Sequence, residues 1–196
     1  DLQIRKIQKD LIAVKKPVFP FNKFPQQNIF LSPEMRSTGE AIGFDNKLGS
    51  AFAKAEFSAG SHLPIKGIVF ISVNEMDKIK SITLARDFKE LGFTIVATEG
   101  TAKLLSENGI NARSIFKVGE GRPNVVDAIK NGEIHLVVNT PLGAQSRFDE
   151  YEIGRSAIRY KVHTITTISG VQAAVRGIRN IKSGSIQYRS LQEVFG

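Results

Sequence analysis

The chain has 196 residues, 41% of them hydrophobic, enough for one ordinary domain with an appendage or for two small ones. It has no cysteine, which excludes disulfides and thiolate metal sites and fits a reducing, cytoplasmic setting. The net charge of +8 points to anionic ligands or an acidic partner. Lys and Arg are scattered, however, without the basic, aromatic-laced tract of a nucleic-acid groove, and no run of about 18 apolar residues suits a membrane span.

Residues 1–63 read differently from the rest. The start, DLQIRKIQKD, is charged and amphipathic, does not read as a signal peptide, and points to a piece of a longer protein. Pro17, Pro20 and Pro25 break any long element, and LIAVKKPVF suits an edge strand. SPEMRSTGEAIG reads as polar and turn-prone. Its Glu34, Arg36 and Glu40 suit an ion-pair network bracing an interface, with an active-site lining as the alternative. LGSAFAKAEFSAG reads as a short Ala-rich helix ending near Gly60. No periodic run closes a core here, so the segment reads as the tail of another domain, with SAGSHLPIKG as linker to a second unit at 64–196.

From Gly67 onward, strands and helices alternate. GIVFIS is a strand, and KIKSITLARDFKELG is a helix capped by Asp77 with Ile79, Ile82, Leu84 or Ala85, Phe88 and Leu91 on one face. FTIVAT, INARSIFK, IHLVVNT and VHTITT are the next strands. TAKLLSENG, PNVVDAIKNG, EYEIGRSAIRYK and VQAAVRGIRNI are the helices between and after them, with Pro123 in a first turn and Gly132 past an end. SIQYRS suits a short final strand. The alternation predicts a doubly wound, mainly parallel five-stranded α/β sheet with helices on both faces.

Such sheets gather ligand groups at the carboxyl ends of their strands. Here those ends carry Ser72, Thr98, Lys117, Asn139 with Thr140, and Thr166 with Thr167. Hydroxyls, an amide and an ammonium suit an anion, above all a phosphate, and offer little acid–base chemistry. Thr98-Glu99-Gly100-Thr101 reads either as a phosphate-binding turn or as an ordinary turn with Thr101 as helix cap. Lys117 suits a point charge on a phosphate, and Lys78 follows the same logic. Arg122 reads as a loop brace or a ligand contact. Asn139-Thr140 suits a ribose or phosphate, stiffened by Pro141, or a capped turn. His62, His135 and His163 sit with no nucleophile or metal-ligand spacing and read as structural or exposed.

Taken together, VFPFNKFP, PEMRSTGEAIG and AFAKAEF resemble the close of the second ATP-grasp unit in the carbamoyl phosphate synthetase large-chain family. ISVNEMDK, VATEGTA, KVGEGRPNVVDAIKNGEI, VVNTPLG and RSAIRYKVHTITT resemble that family's methylglyoxal-synthase-like regulatory domain. The order and spacing cover essentially the whole chain. The resemblance implies an allosteric domain binding a nucleotide effector, UMP or IMP, preceded by a small α+β tail of an ATP-grasp domain. It implies phosphate contacts at Ser72, Lys78, Thr98, Thr101 and Lys117, and ribose- or base-side contacts at Asn139 and Thr140. It implies no catalytic or metal-binding residue and no cofactor in this stretch; the parent enzyme's ATP and Mg or Mn bind upstream. The implied parent is a cytoplasmic ATP-dependent ligase that makes carbamoyl phosphate for pyrimidine and arginine biosynthesis. Its partners are the remainder of the large chain, a glutaminase small chain and further copies, with no nucleic acid or membrane.

There are departures. Pro141 stands where some members carry a threonine. Lys16 stands where ornithine-activated members carry a carboxylate, and Thr164 where they carry an aromatic, so ornithine activation is expected to be weak or absent. The alternative on the same fold, a methylglyoxal-synthase-like phosphate lyase, needs aspartates in a GGDQQ-type loop and a DPL-type turn. Here those segments are GEGRPN and TPL, and both carboxylates are missing.

Overall fold

A computed structural model of the chain describes residues 10–19, 39–140, 147–190 and 192–193. Glu34, Arg36 and Pro141 lie outside that set. Strands β1 (Ile12–Val18) and β2 (Gly39–Asp45) pair antiparallel, with Ile12 opposite Asp45 and Val18 opposite Gly39. β1 matches the expected strand. β2 corrects the turn-prone reading of its segment: Ala41, Gly43 and Asp45 alternate inward, a period of two carried by residues too small to stand out in sequence. The first helix, α1 (Leu48–Ser58), lies directly on β2, and a Cβ on Gly43 would fall 2.1 Å from the Ala51 carbonyl oxygen. Gly60 follows the helix at φ +75°, a conformation that glycine adopts without strain.

The main sheet consists of β3 (Gly67–Val73), β4 (Phe93–Thr98), β5 (Ala112–Ile115), β6 (Leu136–Thr140) and β7 (His163–Ile165). All neighbours are parallel, in the order β5-β4-β3-β6-β7. The connecting helices are α2 (Lys78–Glu90), α3 (Glu99–Glu107), α4 (Val125–Lys130), α5 (Arg147–Arg159) and α6 (Ile168–Lys182). Alternate strand residues divide the core into two layers. Val69, Ile71, Ile95, Ala97, Leu136 and Val138 pack with Leu84, Phe88, Leu105, Val175 and Ile178 of α2, α3 and α6. Phe70, Val96 and Val137 pack on the other face with Val125, Ala128 and Ile129 of α4 and Ile153 of α5. Both sheet faces are thereby covered, which accounts for the unbroken apolar runs of the central strands.

Four local readings need correction. Ile79 is 72% exposed, because the buried stripe of α2 runs through Ser81, Leu84, Ala85 and Phe88. Pro123 precedes α4 rather than opening it: Asn124 is the N-cap, accepting from the Val126 and Asp127 amides, and Asp127 reciprocates in a capping box. β5 is an edge strand with Arg113 and Ser114 exposed, so Lys117 does not follow a buried run. Residues 185–190 form no strand.

The two parts of the chain share packing across residue 63. Ala53 of α1 and Leu63 belong to the same apolar layer as the sheet. α1 and α6 approach backbone to backbone: a Cβ on Gly49 would lie 2.7 Å from the Arg176 carbonyl carbon, and one on Gly177 would lie 3.0 Å from the Gly49 carbonyl oxygen. Asn180 donates to Ser50 Oγ at 2.9 Å across the same crossing. Beside it, His163 is buried, with Nδ1 2.6 Å from Ser61 Oγ and Nε2 3.6 Å from Glu56. Glu56 forms an ion pair with Lys16. Burial, opposed by the Glu56 charge, holds this imidazole below the usual histidine range. The other histidines also read as structural or peripheral: His135 Nδ1 accepts the Ile68 amide at 3.1 Å, and the ring of His62 meets Phe57 edge-on.

The glycine crossing leaves no room for a side chain. Gly49→Val is expected to destabilise the chain by about 1–3 kcal/mol through overpacking, measured as a lower urea midpoint at unchanged slope.

Candidate functional site

Strand register creates the site. Ser72 of β3 is the direct partner of Asn139 of β6. Ile71 pairs with Ala97 of β4, so the next step along both strands sets Ser72 beside Thr98. Thr98, Ser72 and Asn139 therefore form one row across three adjacent strands, about 10 Å from end to end at the usual interstrand spacing. All three have the parity of Phe70, Val96 and Val137, so the row continues the face covered by α4 and α5. β3 leads to β4 on one side and β6 leads to β7 on the other, so the row crosses the point where the winding reverses. Ligands of open α/β sheets bind at such a crevice.

The Thr98 end of the row has the strongest anion-binding geometry. α3 starts at Glu99 with Thr98 in the N-cap position, and no side chain caps it. The amides of its first turn are thus left for a ligand. Thr101 lies inside the first turn instead of capping it. The buried hydroxyls of Thr98 and Thr101 stand 3.4 Å apart. Gly100 presents bare backbone, and the Lys78 Nζ lies only 3.7 Å from where its Cβ would be. Lys78 itself opens α2, a helix with no acidic residue in its first turn. A cation at the positive end of a helix dipole costs stability, and a bound anion offsets that cost.

The Asn139 end is braced by a residue that sequence reasoning passed over. Asn74 caps the 3-10 turn Glu75–Asp77 by accepting the Asp77 amide at 3.1 Å, and its Nδ2 donates to Asp77 Oδ2 at 2.7 Å. Asp77 therefore serves this turn and does not cap α2 through its side chain. Asn74 also donates to Thr140 Oγ1 from its backbone N at 3.3 Å and from Nδ2 at 3.1 Å. The buried Thr140 hydroxyl holds the β3 and β6 ends together, leaving its own proton as its remaining donor.

Lys117 lies two residues past Ile115, the β5 partner of Thr98. Its loop is fixed locally: Phe116 bridges to Asn124, and the Glu120 amide donates to the Lys117 carbonyl at 3.3 Å. Arg122 is 80% exposed at its side chain and pairs with Asp127 at 3.7 Å, so it braces the loop. Glu40 pairs with Lys15 at 2.9 Å, within the hairpin and away from the row.

Carboxylates border both lysines. Glu75 Oε1 lies 2.5 Å from Lys78 Nζ, and Glu120 Oε1 lies 3.7 Å from Lys117 Nζ. Asp149, at the start of α5, also feels Lys117 and Glu120. Burial pushes its carboxyl above the usual range, against the pull of Lys117 and with the help of Glu120. The three-residue spacing of Glu75–Lys78 and Lys117–Glu120 was visible in sequence; the approach of Asp149 was not. Among the described residues, no cluster of three or more His, Cys, Asp or Glu is arranged to hold a metal ion. No helix among them is long and apolar enough to cross a membrane.

The profile of a family described as MGS-like domain matches residues 80–166, a span containing Thr98, Thr101, Lys117, Asn139 and Thr140. The carbamoyl phosphate synthase large chain of Archaeoglobus fulgidus is 50% identical over 189 residues, covering 96% of this chain and 18% of that protein. The C-terminal section of the Aquifex aeolicus large chain is 47% identical over 193 residues, covering 96% of this chain and 36% of that protein. An arginine-specific, chloroplastic large chain of Oryza sativa subsp. japonica is 45% identical over 185 residues, covering 94% and 16% respectively. The chain thus spans well under half the length of the curated relatives it matches.

The raised Asp149 carboxyl gives a pH signature. The folded chain keeps this proton to higher pH than the unfolded chain, so the group costs stability increasingly as pH rises through its unfolded and then its folded value. Asp149→Asn is expected to raise the melting temperature at neutral pH, with the gain vanishing at pH below the ordinary aspartate range. Melting curves of both proteins across pH 3 to 8 check this window.

Proposed function

Because the chain belongs with the C-terminal part of carbamoyl phosphate synthase large chains, to which it is homologous along nearly its whole length, we propose that it is the effector-binding end of such a large chain. Residues 64–196 form the allosteric unit and take a nucleoside monophosphate, UMP or IMP. Residues 1–63 are the tail of the preceding ATP-grasp unit. The observation that carries this reading is the Thr98–Ser72–Asn139 row with Lys78 standing over the uncapped start of α3.

The chemistry follows from that geometry. The phosphate sits at the amides of Glu99 to Thr101 and takes hydrogen bonds from the Thr98 and Thr101 hydroxyls. Lys78 supplies charge from the α2 side and Lys117 from the β5 side. Ser72 occupies the middle of the row. Asn139, with an amide that both donates and accepts, reads the ribose or base about two strand spacings away. The row itself contains hydroxyls and an amide, which suit binding of an anion. Regulation then passes to the synthesis of carbamoyl phosphate from bicarbonate, glutamine-derived ammonia and ATP elsewhere in the parent, with Mg or Mn. The parent is a cytoplasmic ligase of pyrimidine and arginine biosynthesis, assembled with a glutaminase small chain and further copies.

Ornithine is not expected to act strongly. Lys16, Ser61, His163, Thr164 and Thr166 line one cavity of about 390 Å³ between the hairpin, α5 and β7. Lys16 already supplies an ammonium to Glu56 there, so an incoming ammonium would have to compete for that carboxylate.

Calorimetric titration of the chain with UMP and IMP tests the site. At least one nucleotide is expected to bind, and Lys117→Ala to weaken it by roughly tenfold or more, the scale of a charged hydrogen bond. Tight binding untouched by the substitution would sink the assignment of Lys117. In the full-length enzyme, ornithine is expected to change the rate of carbamoyl phosphate formation little; strong activation would refute the Lys16 reading.

A further inference from the structure

We propose that Glu75 and Glu120 are built-in competitors of the bound anion, holding the two lysine ammoniums of the site until a phosphate displaces them. This rests on the nucleotide-site reading above and concerns how that site sets its affinity. Glu75 precedes Lys78 by three residues and contacts its Nζ at 2.5 Å. Glu120 follows Lys117 by three residues, reaches its Nζ at 3.7 Å and accepts its backbone N–H through the second oxygen at 3.2 Å. Both carboxylates stand on the loops that leave strand ends, β3 and β5, where the ligand groups gather.

Neither glutamate is held by packing. The Glu75 side chain is 84% exposed and that of Glu120 is 51% exposed, so water can take over either carboxylate once its lysine finds another partner, with Glu120 keeping its bond to the Lys117 backbone N–H. Carboxylates and phosphates compete for the same N–H donors. A phosphate monoester carries close to two negative charges at neutral pH, whereas a carboxylate carries one. The arrangement therefore favours ligands with a fully ionised phosphate over singly charged carboxylic metabolites. It also spares the empty protein from leaving the Lys78 ammonium unpartnered beside a helix N-terminus.

The test is calorimetric titration of the whole chain with UMP, IMP and inorganic phosphate, for the native sequence, Glu75→Gln, Glu120→Gln and the double variant. Glu107→Gln, at the far end of α3, makes an equal change in net charge away from the site. Each site variant is expected to bind the nucleotide about two- to fivefold tighter, the scale of a partly solvated ion pair, and the double variant about tenfold. Glu107→Gln is expected to leave binding unchanged. Equal or weaker binding by the site variants, or equal tightening by Glu107→Gln, overturns the proposal. Where the native chain binds through Lys117 but the glutamine variants gain nothing, only this inference fails. If neither nucleotide binds the native chain or the double variant, the nucleotide-site reading fails with it.

Discussion

The candidate site depends on the register of three parallel strands. Hydrogen bonds between β4, β3 and β6 bring Thr98, Ser72 and Asn139 to one height, although 26 residues separate the first two and 67 separate Ser72 from Asn139. A slip of one residue in either ladder would turn its polar member onto the opposite face, toward α2 and α6. The apolar residues beneath the row prevent that slip. Phe70, Val96 and Val137 are buried against α4 and α5, while Ile71, Ala97 and Val138 are buried on the other side. The core therefore fixes the height of the polar row that lies beyond it.

On that scaffold the polar side chains differ in how far they are engaged. Thr98, Thr101 and Lys78 gather around the uncapped start of α3. Thr140 and Asn74 are used up, for the most part, in tying the ends of β3 and β6 to each other. The division has a physical logic. A crevice formed where two connections diverge has no strand-to-strand hydrogen bonds beyond its rim, so side chains must supply them. Asn74 adds its side-chain amide to its backbone N–H there, and each donates to both the hydroxyl and the carbonyl of Thr140.

Much of this was legible in the sequence. The alternation of apolar runs and amphipathic segments from Gly67 onward reveals the winding, and three of the polar residues that stop those runs fall in one row of the candidate site. What escaped depended on distant partners. β2 was hidden because its inward residues are Ala41, Gly43 and Asp45, small enough to read as a turn until α1 is seen lying on them. The exposed strand β5 looked buried, because an edge position cannot be told from a central one by composition. Nothing local reveals that Asn74, 66 residues earlier, donates to the Thr140 oxygen. Ile79 fits a helical stripe on paper, yet the helix is rolled so that Ser81 is buried instead.

The glycines at the α1–α6 crossing have a mechanical meaning. Most helix pairs meet through side chains, whose rotamers can rearrange and absorb a small displacement. Here Gly49 and Gly177 bring one backbone against another with nothing compliant between them. α6 begins three residues after β7 ends, and β7 is bonded to the strand that carries Asn139. At the crossing the two helices have no side chain between them to yield, so α1 and α6 keep one spacing only while both positions remain glycine.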